Sequence, residues 1–313
     1  MRRAFLFGVA VVVTALLVSA CKKADPDADA AAIRDLVTED TTHFKAGTAG
    51  DSTEGQDGFL LDDTTVGLWW RGPQTHDPQP TIEVEVLEDS AWVGWHQSNY
   101  GEFIHWVKTS DSTSVRWIKE LTERVQLNAV FRRVGSETDT DRGWRLKRIS
   151  LVSGVSDTVN TVRIDSLRIQ SSIRDIMIVD PLSTYYMLDS LVTFTPGEQL
   201  TLTLYTNMAE GRAFLHAFWG WLLLRLPFEH QGDGVHTGTW NAQIIPGFRF
   251  AIFDLITEGT LLDPAAPYDY NGWLFPWSVH PDHQGPEPPY FGKPSGVHRP
   301  LQTPFMPLPS NLR

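Results

Sequence analysis

Alternation of apolar and charged residues constrains the fold of this chain more than any other feature. Two glutamates separate Ile82, Val84 and Val86, and the segment 125–131 repeats the period of two. Successive side chains of a β-strand point to opposite faces of its sheet, so this period predicts strands with one buried and one wet face. Aromatic-rich stretches lie between them at 91–96 and 102–107. We therefore expect an antiparallel meander in this part of the chain.

A bulge is predicted in the last strand of the meander. In the stretch 143–152, Trp144 and Leu146 have one parity, whereas Ile149 and Leu151 have the other. One extra residue near Lys147 would bring both pairs onto the same face, which is the effect of a β-bulge.

One helix precedes the meander. Apolar residues recur at helical spacing and predict a helix that begins near Asp29: Ile33, Leu36, Val37 and Phe44. A helix followed by a meander that ends in a Gly-Trp-Arg-Leu strand resembles the NTF2-like fold, in which a curved sheet wraps on helices to form a cone. The resemblance covers residues 31–152 and implies an α+β N-terminal domain.

The second half of the chain has an all-β pattern. Residues 153–161 have few apolar anchors and are predicted to be a linker. In the following segment, 162–279, short alternating strands are separated by turns such as Pro196-Gly197, which suits the centre of a type II turn. This pattern predicts a β-sandwich and resembles the immunoglobulin-like modules of bacterial envelope proteins. The proline-rich tail, 280–313, is expected to be either disordered or laid along the domain surface.

The N-terminus has the parts of a secretory signal. Two arginines precede an apolar run, which ends in small residues before the single cysteine, Cys21. Val18-Ser19-Ala20-Cys21 resembles the lipobox of bacterial lipoproteins, in which the peptide is cut before the cysteine and the thiol receives diacylglycerol. The resemblance implies a signal peptide at 1–20, a lipidated tether at 21–30 and membrane association through Cys21.

The residues after the cysteine predict where the anchor lies. Lys22 and Lys23 stand where an aspartate would signal retention in the inner membrane of enterobacteria. By this resemblance we expect the cell envelope, and the outer membrane rather than the inner one.

The net charge of the chain limits which binding partners are expected. The net charge of −12 repels phosphate backbones, so nucleic acid is not an expected partner. An envelope protein, a small apolar ligand and a carbohydrate all remain open as partners.

An aromatic set in the meander is the candidate binding site. Trp92, Trp95, Tyr100 and Trp106 are clustered in sequence with His96 and His105. Three interpretations stay open: the aromatic residues fill the cone, they line a ligand cavity, or His96 and His105 act there as general acid or base. Exposed tryptophans could also stack on sugars.

Other candidate motifs are weak. His280 and His283 flank Asp282 in a proline-rich turn without a third strong ligand, and His230 and His236 flank a glycine-rich turn with Asp233 at its tip. We expect no metal site and no cofactor, and none of the strong enzyme motifs that we sought is present. The sequence thus predicts an envelope lipoprotein that acts as a non-catalytic binding or scaffold protein; the alternative is an NTF2-like small-molecule binder or acid/base enzyme that uses His96 and His105.

Overall fold

The fold is described from a computed structural model, which describes residues 25–44, 68–72, 74–77, 79–110, 113–219 and 222–280. The lipobox and the tail after His280 lie outside these residues. Within them, the helices are α1 (Pro26–Glu39), α2 (Glu258–Leu262) and two 3-10 turns (Thr140–Gly143 and Leu188–Ser190).

The strands form two sheets. The larger sheet has 12 strands: β1 (Leu68–Arg71), β2 (Thr75–His76), β3 (Thr81–Leu87), β4 (Ser90–Ser110), β5 (Thr113–Arg133), β6 (Trp144–Ser156), β9 (Tyr185–Met187), β10 (Thr193–Phe194), β12 (Gly211–Trp219), β13 (Leu222–Pro227), β16 (Gly247–Thr257) and β17 (Tyr270–Val279). The smaller sheet has five: β7 (Ile164–Gln170), β8 (Asp175–Ile178), β11 (Gln199–Thr206), β14 (Glu229–Gly232) and β15 (Val235–Asn241).

The larger sheet joins the two halves of the chain. Its main path runs β1-β4-β5-β6-β17-β16-β12-β13, so β6 pairs with β5 on one side and with β17 on the other. Residues 153–156 of the predicted linker belong to β6, and Ser153 lies opposite Trp273 of β17. The prediction of an α+β NTF2-like domain followed by an immunoglobulin-like sandwich is therefore wrong: the structure is mostly β, with a curled antiparallel sheet of half-barrel shape. The pairing of β6 with β17 joins segments far apart in sequence, which local periodicity does not reveal.

Both faces of the larger sheet are covered where the halves meet. On one face, Phe253 and Phe275 pack against Leu202 of the smaller sheet. On the other face, Ile252 and Leu274 belong to the core around α1. Burial on both faces explains why every residue of β17 is buried and why this strand is a nearly continuous apolar run.

Several local predictions are confirmed. The pairing of β5 with β6 moves from Val130 opposite Arg148 to Phe131 opposite Leu146, so Lys147 is the extra residue of a bulge. Gly197 has a φ of +76°, as the third position of a type II turn requires.

Helix α1 lies on the inner face of the meander. Pro26 occupies its first turn, and the Asp25 carboxylate accepts a hydrogen bond from the Ala28 amide (3.2 Å), so a proline and an N-cap define its start. Ile33 and Val37 pack against the inner side chains of β4 and β5. In the described part of the chain, no helix has the length and apolar character needed to cross a bilayer.

Candidate functional site

The two histidines proposed as a catalytic pair are far apart. Both lie on β4, whose pairing with β5 is regular from Ser90 to Lys108. His96 and His105 are nine residues apart, which corresponds to about 30 Å along a strand and to opposite faces of the sheet. His105 is fully buried on the inner face, whereas His96 is half-buried on the outer face. One active site cannot contain both side chains in this arrangement.

The aromatic set is divided in the same way. Trp95 is buried on the inner face, in the core that contains α1. Trp92 and Tyr100 lie on the outer face, and each is 43% exposed. The backbone of Trp106 pairs with Leu68 and Arg116, and its side chain is outside the described set. The described members therefore do not line one common cone.

A buried charged cluster lies elsewhere on the larger sheet. Arg71 of β1 is its centre: Nε lies 3.1 Å from Glu123 Oε1 of β5, and Nη2 lies 3.4 Å from Asp254 Oδ1 of β16. All three side chains are 0% exposed. Each carboxylate thus has a cationic partner, which a buried charge requires.

Two tyrosines, one just before β17 and one within it, complete the contacts of the carboxylates. The Tyr268 hydroxyl donates to Glu123 Oε1 and the Tyr270 hydroxyl donates to Asp254 Oδ1, both at 2.6 Å. The Arg71 guanidinium also lies 4.4 Å from the centre of the Tyr270 ring. Gly272 makes this arrangement possible, because a Cβ at that position would collide with the Tyr270 hydroxyl.

A second arginine connects the two edge strands of the curled sheet. Arg225 of β13 donates from Nε to His216 Nε2 (2.8 Å) and from Nη1 to the Trp69 carbonyl oxygen of β1. Its guanidinium lies 3.5 Å from the centre of the Trp69 ring. The ends of the main strand path therefore meet through a side chain that satisfies a backbone carbonyl and stacks on an aromatic ring.

Burial sets the protonation states in the cluster. It raises the pKa of Tyr268 and Tyr270 well above the ordinary value, so both hydroxyls remain hydrogen-bond donors. Burial lowers the pKa of His216 to about 3, and this histidine is neutral at pH 7. Burial also opposes ionisation of Asp254, but His216, Arg71 and the Tyr270 hydroxyl together hold its pKa below the ordinary value. Two arginines thus balance two carboxylates.

The hydrogen-bond directions in the cluster define the tautomer of His216. Because arginine always donates, His216 Nε2 must accept from Arg225, and the imidazole proton lies on Nδ1. His216 Nδ1 and Trp69 Nε1 are buried without a hydrogen bond, and Asp254 Oδ2 lies 3.2 Å from His216 Nε2. The cluster is enclosed and electrically balanced, and its chemistry is that of a structural network that closes the sheet.

This cluster was not predicted from the sequence, because six strands and a connecting segment contribute to it. The sequence nevertheless contained a signal of this cluster, namely charged residues in the apolar register of two strands. Glu123 has the same parity as the inward-facing Leu121 and Val125, and Asp254 interrupts the apolar run Phe253–Ile256. A charge in the apolar register of a strand predicts a buried partner.

Among the described residues, no three His, Cys, Asp or Glu side chains group as metal ligands would. Asp282 and His283 lie outside those residues. His230 and His236 form a cross-strand pair with ring centres 4.9 Å apart beside the Asp233-Gly234 turn. His236 is 1% exposed, and burial, together with His230 and Arg212, lowers its pKa to about 4.

An open groove of about 510 Å³ lies where the sheets meet. Its polar side chains are engaged in the structure: Asn271 accepts from the Ile164 amide (2.8 Å), and Asn207 accepts from the Arg163 amide (2.7 Å). Arg163 pairs with Asp165 at 2.7 Å. These contacts hold the connecting segment against the sheets.

No protein-family model matches this chain, and no curated protein matches its sequence.

Proposed function

We propose that this protein is a lipid-anchored component of a bacterial cell envelope and that its β-rich body acts as a non-catalytic binding or scaffold protein. The observation that carries the proposal is Cys21 at the end of Val18-Ser19-Ala20-Cys21, four positions before the cap of the first helix. Lipidation at Cys21 would add the several acyl chains that stable anchoring needs.

The position of α1 supports a body held close to the bilayer. Four residues of fully extended chain span at most about 14 Å, so Asp25 lies within that distance of the lipidated residue. Helix α1 is fixed to the sheet through Asp29, which accepts from Arg142 Nε (2.7 Å), Trp144 Nε1 (3.1 Å) and Arg133. Burial alone would raise the pKa of Asp29, but these hydrogen bonds hold it below the ordinary value. An anchor attached before α1 is thus mechanically connected to the larger sheet.

Two features favour binding over catalysis. The buried charged cluster has no exposed side chain among Arg71, Glu123 and Asp254, so a substrate cannot reach it without opening the sheet. His96 and His105 lie on opposite faces and cannot act together.

The test of the anchor is a Cys21→Ser variant expressed in a bacterial host. We expect the wild-type protein to incorporate labelled palmitate and to stay in the membrane pellet after alkaline carbonate extraction. The variant has no thiol to acylate, so we expect it to lose the label. Density-gradient separation of the two membranes reports whether the wild-type protein is in the outer membrane.

Ser19→Ala is the matched control because it keeps a small residue before the cysteine, and we expect it to behave as wild type. The anchor proposal fails if Cys21→Ser incorporates the labelled palmitate as the wild type does, or if the wild type incorporates none.

A further inference from the structure

The outer face of β4 carries a regular row of aromatic rings. Here the outer face means the one opposite α1, with the even-numbered residues from Trp92 to Tyr100. His96 lies midway between these two residues, so the rings follow one another at about 13 Å and the row is about 26 Å long. Large aromatic side chains are usually well buried, so two rings that are each 43% exposed on one strand require an explanation.

The positions between the rings are small and polar. Gly94 and Ser98 separate the three rings. A Cβ at Gly94 would lie 3.3 Å from His96 Nε2 and 3.8 Å from Glu83 Oε2, so an imidazole and a carboxylate flank the glycine. The positions between the rings thus carry short side chains, with hydrogen-bonding groups at their edges.

Neighbouring strands extend the polar edges of the row. Glu85 of β3 lies opposite Trp92, and Gln126 of β5 lies opposite His96. Glu83 and Glu85 are exposed, and Gln126 is half-exposed. Both hydrogen-bond acceptors and donors are thus available next to the rings.

We propose that the outer face of β4 binds an oligosaccharide chain, with Trp92 and Tyr100 as stacking platforms and Glu83, His96 and Gln126 as hydrogen-bonding groups. A pyranose ring has an apolar C–H face, which packs on an aromatic ring, and a rim of hydroxyls that both donate and accept. The strip offers the same combination along its length. An oligosaccharide ligand would specify what the protein binds, so this proposal rests on the proposed function as a binding protein.

Other ligands fit this face less well. An acyl chain or an apolar protein surface favours a contiguous apolar patch, whereas Glu83, Glu85 and Gln126 border the rings here. Nucleic acid phosphates would meet exposed glutamates on a chain of net charge −12. The 26 Å row is also longer than one sugar ring, so the ligand is a chain and not a monosaccharide.

The experiment is retention of the full-length protein, purified in detergent, on three glycans: isolated peptidoglycan sacculi, hydroxyethyl cellulose and soluble starch. We expect retention on at least one of them, with an apparent affinity at least fivefold lower for Trp92→Ala and for Tyr100→Ala. Trp92→Phe keeps a ring and should retain most of the affinity. Ile173→Ala is the control, because Ile173 is 62% exposed but lies beside the smaller sheet.

Thermal unfolding of each variant confirms that it is folded. No retention on any of the three glycans overturns the proposal, and so does equal retention of Trp92→Ala and wild type. The Cys21→Ser labelling experiment does not depend on this result, so failure of the ligand and failure of the anchor are distinguished.

Discussion

At the scale of single residues, His216 and His236 are titratable groups buried in their neutral form. His236 has no hydrogen-bond partner at either ring nitrogen, and His216 has none at Nδ1. Burial is the first cause of the lowered pKa in both, to about 4 and about 3 respectively. In the unfolded chain each would titrate near its ordinary pKa of 6.5. Below that pH these histidines bind protons in the unfolded chain but not in the folded protein.

We therefore expect the free energy of unfolding to fall as the pH is lowered from about 6.5 toward 4, and to be insensitive to these histidines above 6.5. Each histidine contributes a slope that approaches about 1.4 kcal/mol per pH unit. His236→Phe removes one titrating group, so urea unfolding at pH 5 to 8 should show a shallower slope. The free energies of unfolding of the wild type and of His236→Phe are compared first at pH 8. Both histidines of the wild type are neutral there, so the difference reports packing alone. Identical slopes for variant and wild type would contradict the assignment.

At the scale of elements, α1 is held to the sheet by one buried carboxylate. Asp29 is fully buried and contacts Arg133, the last residue of β5, and Arg142 of the β5–β6 connection. Glu137 also lies near both arginines. Arg133 in turn lies 4.8 Å from the centre of the Trp144 ring. Removal of one partner of a buried ion pair lowers the free energy of unfolding by more than the pair contributes to it, because the remaining charges stay buried without compensation.

Asp29→Asn should lower the free energy of unfolding by about 2–4 kcal/mol and reduce the hydrogen-exchange protection of α1. Asp27→Asn is the matched control: it makes the same change in the same helical turn at an exposed position, and we expect an effect below about 0.5 kcal/mol. Equal effects of the two substitutions would show that Asn at position 29 acts only through the helix dipole.

At the scale of the whole molecule, the halves of the chain share one sheet, and three hydrophobic cores of the described residues lie against it. Strands β16 and β17 contribute alternate side chains to the core of the smaller sheet and to the core of α1. A defect in either core therefore affects strands that the other core also needs.

We expect a single cooperative unfolding transition. Leu127→Ala in the α1 core and Phe253→Ala in the core of the smaller sheet should each lower the midpoint of this one transition. Each should reduce the free energy of unfolding by about 2–5 kcal/mol. Far-UV circular dichroism and tryptophan fluorescence should report coincident curves. Exposed Ile173→Ala should leave the midpoint in place, and two separated transitions would contradict the shared-core interpretation.

The sequence by itself determined the local features of this protein. The period of two around Ile82 predicted a strand that the structure contains, and the parity change around Lys147 predicted the bulge, because both depend only on which face each side chain must occupy. The same alternation separates Trp92 from Trp95, and it is the basis of the proposed glycan face. Helix α1 was predicted from its apolar spacing, but it starts at Pro26, three residues before Asp29, and ends at Glu39, so Phe44 is not part of it.

Only the tertiary structure decided how these elements join. The pairing of β6 with β17 and the contacts among Arg71, Glu123 and Asp254 connect residues far apart in the chain. Their stability comes from long-range burial and charge compensation, which leave no local period in the sequence. For that reason the predicted fold class, an α+β domain followed by an immunoglobulin-like sandwich, was wrong. The bulge at Lys147 does place Ile149 in the α1 core with Trp144, but a second register shift places Leu151 in the core of the smaller sheet.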